Sequence, residues 1–216
     1  MPEISLRIDV RSGVGEDLDL AVEHIRKGGV VAYPTETVYG FGSLPTAKGV
    51  TRIQKIKRRT FAKPLIILTP TIEEVSRLAW NDQAGLLASV FWPGPLTLLL
   101  GDPYGIFPLG IRSETDKVGV RLSSSPIVEC MLEKLGRPLT STSVNLPGEP
   151  PAKSGSEVVT VVSRLNGSEV MLVDSGTLPI SEPSTIVDCT VNPPTILREG
   201  KTHISALREV VPDLYG

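Results

Sequence analysis

Two threonines stand where a short apolar stretch gives way to a polar turn. The stretch covers residues 30–33, and the segment after it reads PTETVYGFG, with Thr35 and Thr37 two positions apart. Ligands of open α/β sheets bind where strands end, so these hydroxyls are placed to donate to a carboxylate or phosphate oxygen. A turn with a helix cap explains the same residues, and the segment alone does not decide between the two.

Basic residues are concentrated between positions 52 and 63. Lys57 and Arg59 lie two apart near the end of a predicted helix, so in an extended chain their side chains share one side. A compact ammonium and a planar guanidinium together suit a polyphosphate. A solvated helix face is the alternative. The cluster comprises Arg52, Lys55, Lys57, Arg58, Arg59 and Lys63.

Two further strand-like segments carry polar groups in unusual places. Arg121 lies within the apolar run VGVRL, where a charge is costly unless it is paired with a salt-bridge partner or a substrate carboxylate. The run LTSTSVN, at positions 139–145, is too polar for an ordinary core strand. Strand alternation places Ser141, Ser143 and Asn145 on one face, where they could line a wet cavity.

The common catalytic signatures are absent from the sequence. There is no GxxxxGK[ST] loop and no GxSxG elbow, and Pro45 replaces the third glycine of a GxGxxG loop. His24 and His203 lie far apart, and we expect Cys130 and Cys189 to be reduced, buried residues. The chemistry must therefore rest on lysine, arginine, hydroxyl and amide groups.

The composition is typical of one folded domain. The 216 residues are 40% hydrophobic and 21% charged, which is enough to bury a core and argues against intrinsic disorder. The net charge of −2 argues against a protein that binds nucleic acid over its whole surface. There is no signal-peptide pattern and no apolar run near the ~18 residues of a membrane span, so we expect a cytoplasmic protein without membrane contact.

Hydrophobic periodicity predicts the helices and strands that would position these side chains. We expect helices over 16–27, 46–57, 72–79, 82–92, 125–136 and 202–211, with 156–165 ambiguous because valine is abundant. We expect strands over 30–33, 65–68, 96–100, 117–122, 139–144, 170–173, 185–187 and 195–197. The predicted helix caps are Thr71 with Glu74, Asp82, Ser125 with Pro126, and Thr202. This order predicts one α/β domain with a mixed, twisted sheet.

Seven segments in their order along the chain resemble the YrdC/Sua5 family of threonylcarbamoyl-AMP synthases. They are PTETVYGFG, KRR followed by PL, WPGPLT, VGVR, SVN, STIVD and LREG, and they run from about residue 30 to residue 200. The resemblance implies a single YrdC-like domain whose helix-flanked sheet surrounds a large, positively lined cavity. It also implies a catalytic domain over 14–200 and, over 201–216, a helical extension packed on it.

The resemblance further implies the reaction and its participants. The family joins L-threonine, bicarbonate and ATP into threonylcarbamoyl-AMP and pyrophosphate, for the N6-threonylcarbamoyladenosine modification of tRNAs that read ANN codons. ATP is then a substrate, with Mg²⁺ expected on its phosphates and no metal ligand expected from the protein. tRNA and the downstream threonylcarbamoyl-transfer proteins are expected as indirect partners.

Matching the family motifs position by position assigns roles to particular residues. The catalytic set implied by the resemblance is Lys57, Arg59, Ser143 and Asn145. The ATP set is Arg59, Lys63, Ser143, Pro151 and Arg198. The threonine set is Thr35, Thr37, Leu68, Arg121, Ser141 and Ser184, with Leu68 standing where many members have a histidine.

Two other functions compete with this one. A non-catalytic RNA-binding module would use the same basic cluster, and its RNA affinity would fall steeply with salt. A family paralogue could use a different acceptor, or transfer carbamoyl groups as in hydrogenase maturation. The release of pyrophosphate from ATP only when threonine is the amino acid supplied would distinguish the synthase from both.

Overall fold

The computed structural model describes residues 6–10, 18–58, 63–165 and 169–216. Within these ranges the chain forms ten strands and six α-helices. The strands are β1 (Leu6–Asp9), β2 (Val30–Pro34), β3 (Tyr39–Gly42), β4 (Ile66–Leu68), β5 (Leu96–Gly101), β6 (Lys117–Arg121), β7 (Leu139–Ser143), β8 (Val170–Asp174), β9 (Thr185–Asp188) and β10 (Thr195–Arg198). The helices are α1 (Leu18–Arg26), α2 (Ala47–Ile56), α3 (Asp82–Phe91), α4 (Pro126–Leu135), α5 (Gly155–Leu165) and α6 (Ile204–Val210).

All ten strands belong to one sheet, in the order β1-β8-β2-β3-β7-β4-β6-β5-β9-β10. The sheet contains both parallel pairs, such as β2 with β8, and antiparallel pairs, such as β2 with β3. The prediction of one α/β domain with a twisted mixed sheet flanked by helices is confirmed. The longest described helix has 11 residues, which is too short to cross a bilayer.

The two faces of the sheet bury different side chains of the same strands. In β2, Val30 and Ala32 belong to one apolar layer, whereas Val31 and Tyr33 belong to the other. The first layer is covered by α2, α3, α5 and α6, and the second by α1 and α4. The period-two alternation of a strand produces this division. The central strands are therefore buried on both faces, which fixes their ends as rigid positions for a site.

Two predicted helix starts are wrong by one or two residues. Asn81, not Asp82, caps α3, because its side-chain oxygen accepts from the backbone N–H of Ala84 at 2.8 Å. Thr202 does not cap α6: the helix begins after His203, without a side-chain cap. The Thr202 N–H instead donates to the Thr185 hydroxyl at 3.1 Å, so Thr202 is bonded to the sheet.

The helix predicted over 72–79 is wrong. Only a 3-10 helix forms there, over Glu73–Val75, and neither Thr71 nor any other side chain caps it. The Ala79 N–H donates to the Gly101 carbonyl at 2.8 Å, which draws the chain onto the sheet before a longer helix can form. The ambiguous segment 156–165 is helical, and it belongs to α5.

Two strands were not predicted from the sequence. β3 lies in the segment interpreted as a turn, and its pairing with β2 and β7 provides partners that the local sequence does not reveal. β1 pairs in parallel with β8, more than 160 positions further along the chain. Sequence patterns are local, so they carry little information on such long-range pairs.

The C-terminal helix packs on the same body as the rest of the chain. α6 contacts α3, and its Leu207 is fully buried in the first apolar layer. Beyond α6, the Tyr215 carbonyl accepts a hydrogen bond from the N–H of Ile196 in the outer strand β10, and the Tyr215 N–H donates to the Pro194 carbonyl.

Candidate active site

Lys57 is a buried cation at the C-terminal end of α2. Only 4% of the residue is exposed to solvent, and its ammonium donates to three oxygens of one segment. These are the carbonyl of Ser143 at 2.6 Å, the carbonyl of Asn145 at 3.1 Å and the Oδ1 of Asn145 at 2.7 Å. A lysine is buried at low cost only when its donors are paired, which these contacts achieve. Three members of the predicted catalytic set therefore lie in direct contact.

Both the oxygen and the nitrogen of the Asn145 side-chain amide are hydrogen-bonded. Its Oδ1 accepts from the Ser143 hydroxyl at 2.8 Å, besides the bond from Lys57, and its Nδ2 donates to the Glu149 carbonyl at 2.8 Å. The Glu149 carboxylate in turn accepts two bonds from Arg164 of α5, at 2.7 and 2.9 Å. The bidentate pair anchors the loop 145–149 to a helix, so the orientation of the amide is set by the fold.

The remaining residues predicted for ATP are placed less closely. Arg59 lies outside the described residues. Lys63 is exposed. Pro151 is half-buried and precedes Ala152, whose backbone bonds both to Val144 and to Tyr39. Pro151 therefore lies on a connection that passes alongside the segment carrying Asn145.

Thr35 and Thr37 form the buried turn between β2 and β3. The two hydroxyls are hydrogen-bonded at 2.9 Å, and the Thr35 hydroxyl donates to the Val38 carbonyl at 2.7 Å. The Thr35 Oγ1 also accepts from the N–H groups of Thr37 and Val38, each at 3.2 Å. The sequence alternatively suggested a turn with a helix cap at these threonines. The turn is present, but the threonines cap no helix, because β3 follows them and α2 is capped by Thr46.

Arg121 lies at the end of β6 and is paired with the acid of the same turn. Its guanidinium forms an ion pair with Glu36, and the side-chain exposures are 5% and 12%. The second Glu36 oxygen accepts a hydrogen bond from the Ser123 hydroxyl. The Arg121 Nε is buried and has no hydrogen-bond partner among the residues the structure describes. A buried donor without an acceptor is costly, so this atom is available to an oxygen of a ligand.

Ser184 and Arg198 form a second polar corner near Arg121. Arg198 donates to the Ser184 carbonyl through Nε at 3.1 Å and through Nη2 at 2.7 Å. The Ser184 hydroxyl is buried and lies 2.9 Å from that of Thr97. Partial burial and the positive charge of Arg121 both lower the pKa of Arg198. The positive charges of Arg121 and Arg198 together favour an anionic ligand.

Ser141 and Leu68 occupy neighbouring strands of the central sheet. Ser141 lies opposite Ile66 in β4, and Leu68 lies opposite Arg121 in β6. Burial raises the pKa of Tyr33, whose hydroxyl donates to the carbonyl of Thr140, the residue before Ser141, at 3.2 Å. Leu68 is fully buried in the apolar layer with α1 and α4, so it contributes packing.

The sheet joins the two groups of polar residues. Gly40 of β3 is the register partner of Ser143 in β7, and it lies three positions after Thr37. The turn with Thr35 and Thr37 is therefore adjacent to the segment that Lys57 binds. A Cβ on Gly40 would lie 3.0 Å from the Ser141 hydroxyl, so glycine permits this close approach.

Sequence reasoning missed the acid of this site. Glu36 and its partner Ser123 were not assigned a role, although the buried arginine signalled that a paired carboxylate was one solution. Lys201 was also missed; its ammonium lies 3.3 Å from the Glu36 carbonyl and ties the turn to the segment after β10. The sequence does not identify such a partner, because Glu36 and Arg121 are 85 positions apart.

The chain is similar to known proteins over most of its length. The Sua5/YciO/YrdC family model, described as "Telomere recombination", matches residues 23–200. A threonylcarbamoyl-AMP synthase of Pyrococcus abyssi is 34% identical over 215 residues, which cover 98% of this chain and 62% of the relative. One of Xanthomonas euvesicatoria pv. vesicatoria is 36% identical over 180 residues, covering 80% and 92%.

The solved structures agree with the sequence relatives. The crystal structure of P. abyssi Sua5 complexed with L-threonine superposes with a TM-score of 0.90 at 33% identity, covering 98% of this chain and 63% of that one. This chain therefore spans somewhat less than two thirds of the length of its P. abyssi relative.

Proposed function

This chain belongs to the Sua5/YciO/YrdC family, and from that membership we propose that it is a threonylcarbamoyl-AMP synthase. The substrates are L-threonine, bicarbonate and ATP, and the products are threonylcarbamoyl-AMP and pyrophosphate. The proposal draws on relatives of that name at 34–36% identity over most of the chain.

The observation that carries the proposal is the contact of Lys57 with Ser143 and Asn145. A buried ammonium, a hydroxyl and an amide converge there from positions 86 and 88 residues apart. Catalysis of phosphoryl and nucleotidyl transfer depends chiefly on positioning and on positive charge where negative charge accumulates. This cluster supplies both, and it contains groups that can bind the triphosphate and the carbamate.

The threonine side of the site is proposed around Arg121. Its unpartnered Nε would donate a hydrogen bond to the substrate carboxylate, while the hydroxyls of Thr35, Thr37, Ser141 and Ser184 would bind the remaining polar atoms. Leu68, buried in the apolar layer, would support this pocket by packing. A planar guanidinium is well suited to a carboxylate because it can donate two parallel hydrogen bonds.

The reaction needs no nucleophile from the protein. The threonine amine takes up the carbon of bicarbonate, with loss of water, and forms a carbamate. A carbamate oxygen then attacks the α-phosphorus of ATP, and the bond to the β-phosphate oxygen breaks to release pyrophosphate. The residues hold the reactants in line and offset the charge of the leaving group. We propose a closed, positively lined cavity for this step, because a carbamate loses carbon dioxide readily in water.

Nucleotide contacts are proposed for Arg59, Lys63, Pro151 and Arg198, alongside Ser143. Mg²⁺ is proposed on the ATP phosphates. The Ser143 carbonyl and the Asn145 Oδ1 already accept hydrogen bonds from Lys57. The described residues contain no group of three acidic, histidine or cysteine side chains able to hold a metal. Phosphate oxygens and water, which Mg²⁺ prefers, would then complete its shell.

The product is proposed to serve tRNA modification. Threonylcarbamoyl-AMP would pass to transfer proteins that act on the adenosine of ANN-decoding tRNAs, and this work would take place in the cytoplasm. Residues 14–200 would form the catalytic domain, and 201–216 its helical extension. These assignments depend on the proposed activity.

The decisive assay follows pyrophosphate release. Purified protein is mixed with ATP, Mg²⁺, bicarbonate and one amino acid at a time, and the adenylate is identified by mass spectrometry. We expect pyrophosphate and a threonylcarbamoyl adenylate with threonine, and background levels with bicarbonate omitted. Release with serine in preference to threonine would indicate a paralogue. The absence of any adenylate, together with salt-sensitive RNA binding, would favour the RNA-binding alternative.

A further inference from the structure

Glu36 occupies an unusual position for a carboxylate. It lies between Thr35 and Thr37 in the turn after β2, and both of its oxygens are engaged. One forms the ion pair with Arg121 at the end of β6, and the other accepts from Ser123. Because the pair is almost fully buried, losing one partner would leave the other charged and unpaired.

The local charge balance depends on this one carboxylate. Arg121 faces Glu36 directly, Arg198 is close enough for Arg121 to lower its pKa, and the Lys201 ammonium lies 3.3 Å from the Glu36 carbonyl. Arg121 and Glu36 together carry no net charge. Such a pair suits an amino acid, which is itself a zwitterion. Without Glu36, the three cations would favour a multiply charged anion instead.

We propose that Glu36 is a positioning and specificity residue of the amino-acid subsite. Its carboxylate fixes the Arg121 guanidinium so that Nε faces the substrate carboxylate. It also limits the positive charge, so that the subsite takes an amino acid and rejects inorganic pyrophosphate and the phosphates of ATP. This inference rests on the proposed function and adds a residue that acts through Arg121.

The test compares Glu36→Gln with the unaltered chain. Gln is nearly the same size as Glu but carries no charge. We expect KM for threonine to rise roughly tenfold to hundredfold, as for the loss of a charged hydrogen bond, with KM for ATP changed less than about twofold. We also expect pyrophosphate to become a competitive inhibitor against threonine. A purely structural role would change kcat or the folded fraction, without producing this inhibition pattern.

Glu23→Gln is the matched control. Glu23 lies on α1, is exposed and pairs with Lys27 one turn further along the helix, so its replacement removes the same charge from a remote surface. We expect its kinetic constants to equal those of the unaltered chain. If Glu36→Gln behaves like Glu23→Gln, the inference is wrong.

A second variant guards against a folding defect. Ser123→Ala removes one hydrogen bond to Glu36 and keeps the ion pair, so we expect a smaller rise in threonine KM in the same direction.

Threonine binding by calorimetry, without ATP, separates the two proposals. If the unaltered chain does not bind threonine, the proposed function fails. If it binds and both variants bind equally well, the role of Glu36 fails.

Discussion

The buried Lys57 ammonium, to which we assign a catalytic role in the proposed function, is held by the fold itself. It donates to three oxygens of the segment 143–145. Each bond is made before a ligand arrives, so a phosphate oxygen would have to share or replace one of them. We infer that Lys57 acts by its positive charge and by holding Ser143 and Asn145 in place.

Replacement of Lys57 by alanine tests this role at the scale of one residue. We expect a loss of about 2–4 kcal/mol of transition-state stabilisation, because one preorganised electrostatic donor is removed. The measurement is kcat/KM from pyrophosphate release, with circular dichroism as the check on folding. Lys55→Ala, on the exposed face of the same helix, is the control and should keep its activity. Near-normal turnover of Lys57→Ala would contradict the assignment.

At the scale of elements, cap residues and tertiary contacts decide where the predicted helices begin and end. α4 runs from Pro126 to Leu135, and Gly136, whose φ of 68° lies in the left-handed region, caps its C-terminal end. The first residues of α3 and α6 differ from the predicted ones, because Asn81 and Thr202 form hydrogen bonds to other parts of the chain. The pattern of apolar residues thus predicts a helix, whereas tertiary contacts decide its first residue.

Two glycine replacements should have opposite effects on stability. Gly85 lies inside α3, and a Cβ added there meets no atom within 4 Å. We expect Gly85→Ala to raise the free energy of unfolding by about 0.5–1 kcal/mol, because alanine favours the helix and restricts the unfolded chain. Gly136→Ala should lower it by about 1 kcal/mol, because alanine is strained at positive φ.

Urea unfolding followed by circular dichroism measures both changes. Each variant serves as the control for the other, since both replace glycine by alanine, one inside a helix and one at a left-handed helix cap. Destabilisation by Gly85→Ala of more than about 0.5 kcal/mol would show that the α3 surface is covered by a contact the described residues do not reveal.

At the scale of the whole molecule, one sheet connects distant parts of the chain into a single frame. Asp188 at the end of β9 pairs with Lys117 at the start of β6, across the intervening β5, at 2.7 Å. It also accepts from the N–H of Thr190 at 2.9 Å and from its hydroxyl at 2.6 Å. Burial alone would raise the pKa of Asp188, but the bonds from Lys117 and Thr190 outweigh it and lower the pKa below its ordinary 3.8.

This shift predicts a pH dependence of stability. A carboxyl whose pKa is lower in the folded state stabilises the fold above its unfolded pKa, and that contribution is lost as pH falls through the folded value. Asp188→Asn should therefore lower the free energy of unfolding by about 1–3 kcal/mol at pH 7, and the difference should shrink below about pH 4.

Thermal unfolding between pH 3 and pH 7 checks the prediction. Glu114→Gln removes a carboxylate from an exposed loop position and should show a small difference at every pH. A difference between Asp188→Asn and the unaltered chain that stays constant over this range would mean that the ion pair contributes nothing.

Short windows of sequence determined most of the elements and the types of the site residues. Apolar periodicity predicted five of the six helices and eight of the ten strands in the described ranges, at slightly different bounds. The order of the motifs indicated the family and the residues Lys57, Arg121, Ser143 and Asn145. These features are local in sequence, because they depend on neighbouring side chains and on turn chemistry.

Only the tertiary structure decided which of these residues meet. Lys57 contacts Asn145 across 88 positions, and Glu36 pairs with Arg121 across 85, because β3, β7, β4 and β6 are neighbours in the sheet. Strand order follows from the free energy of the whole packed sheet, so no single segment encodes it. The acid partner of the buried arginine, and with it the charge of the proposed amino-acid subsite, therefore became visible only once the chain was folded.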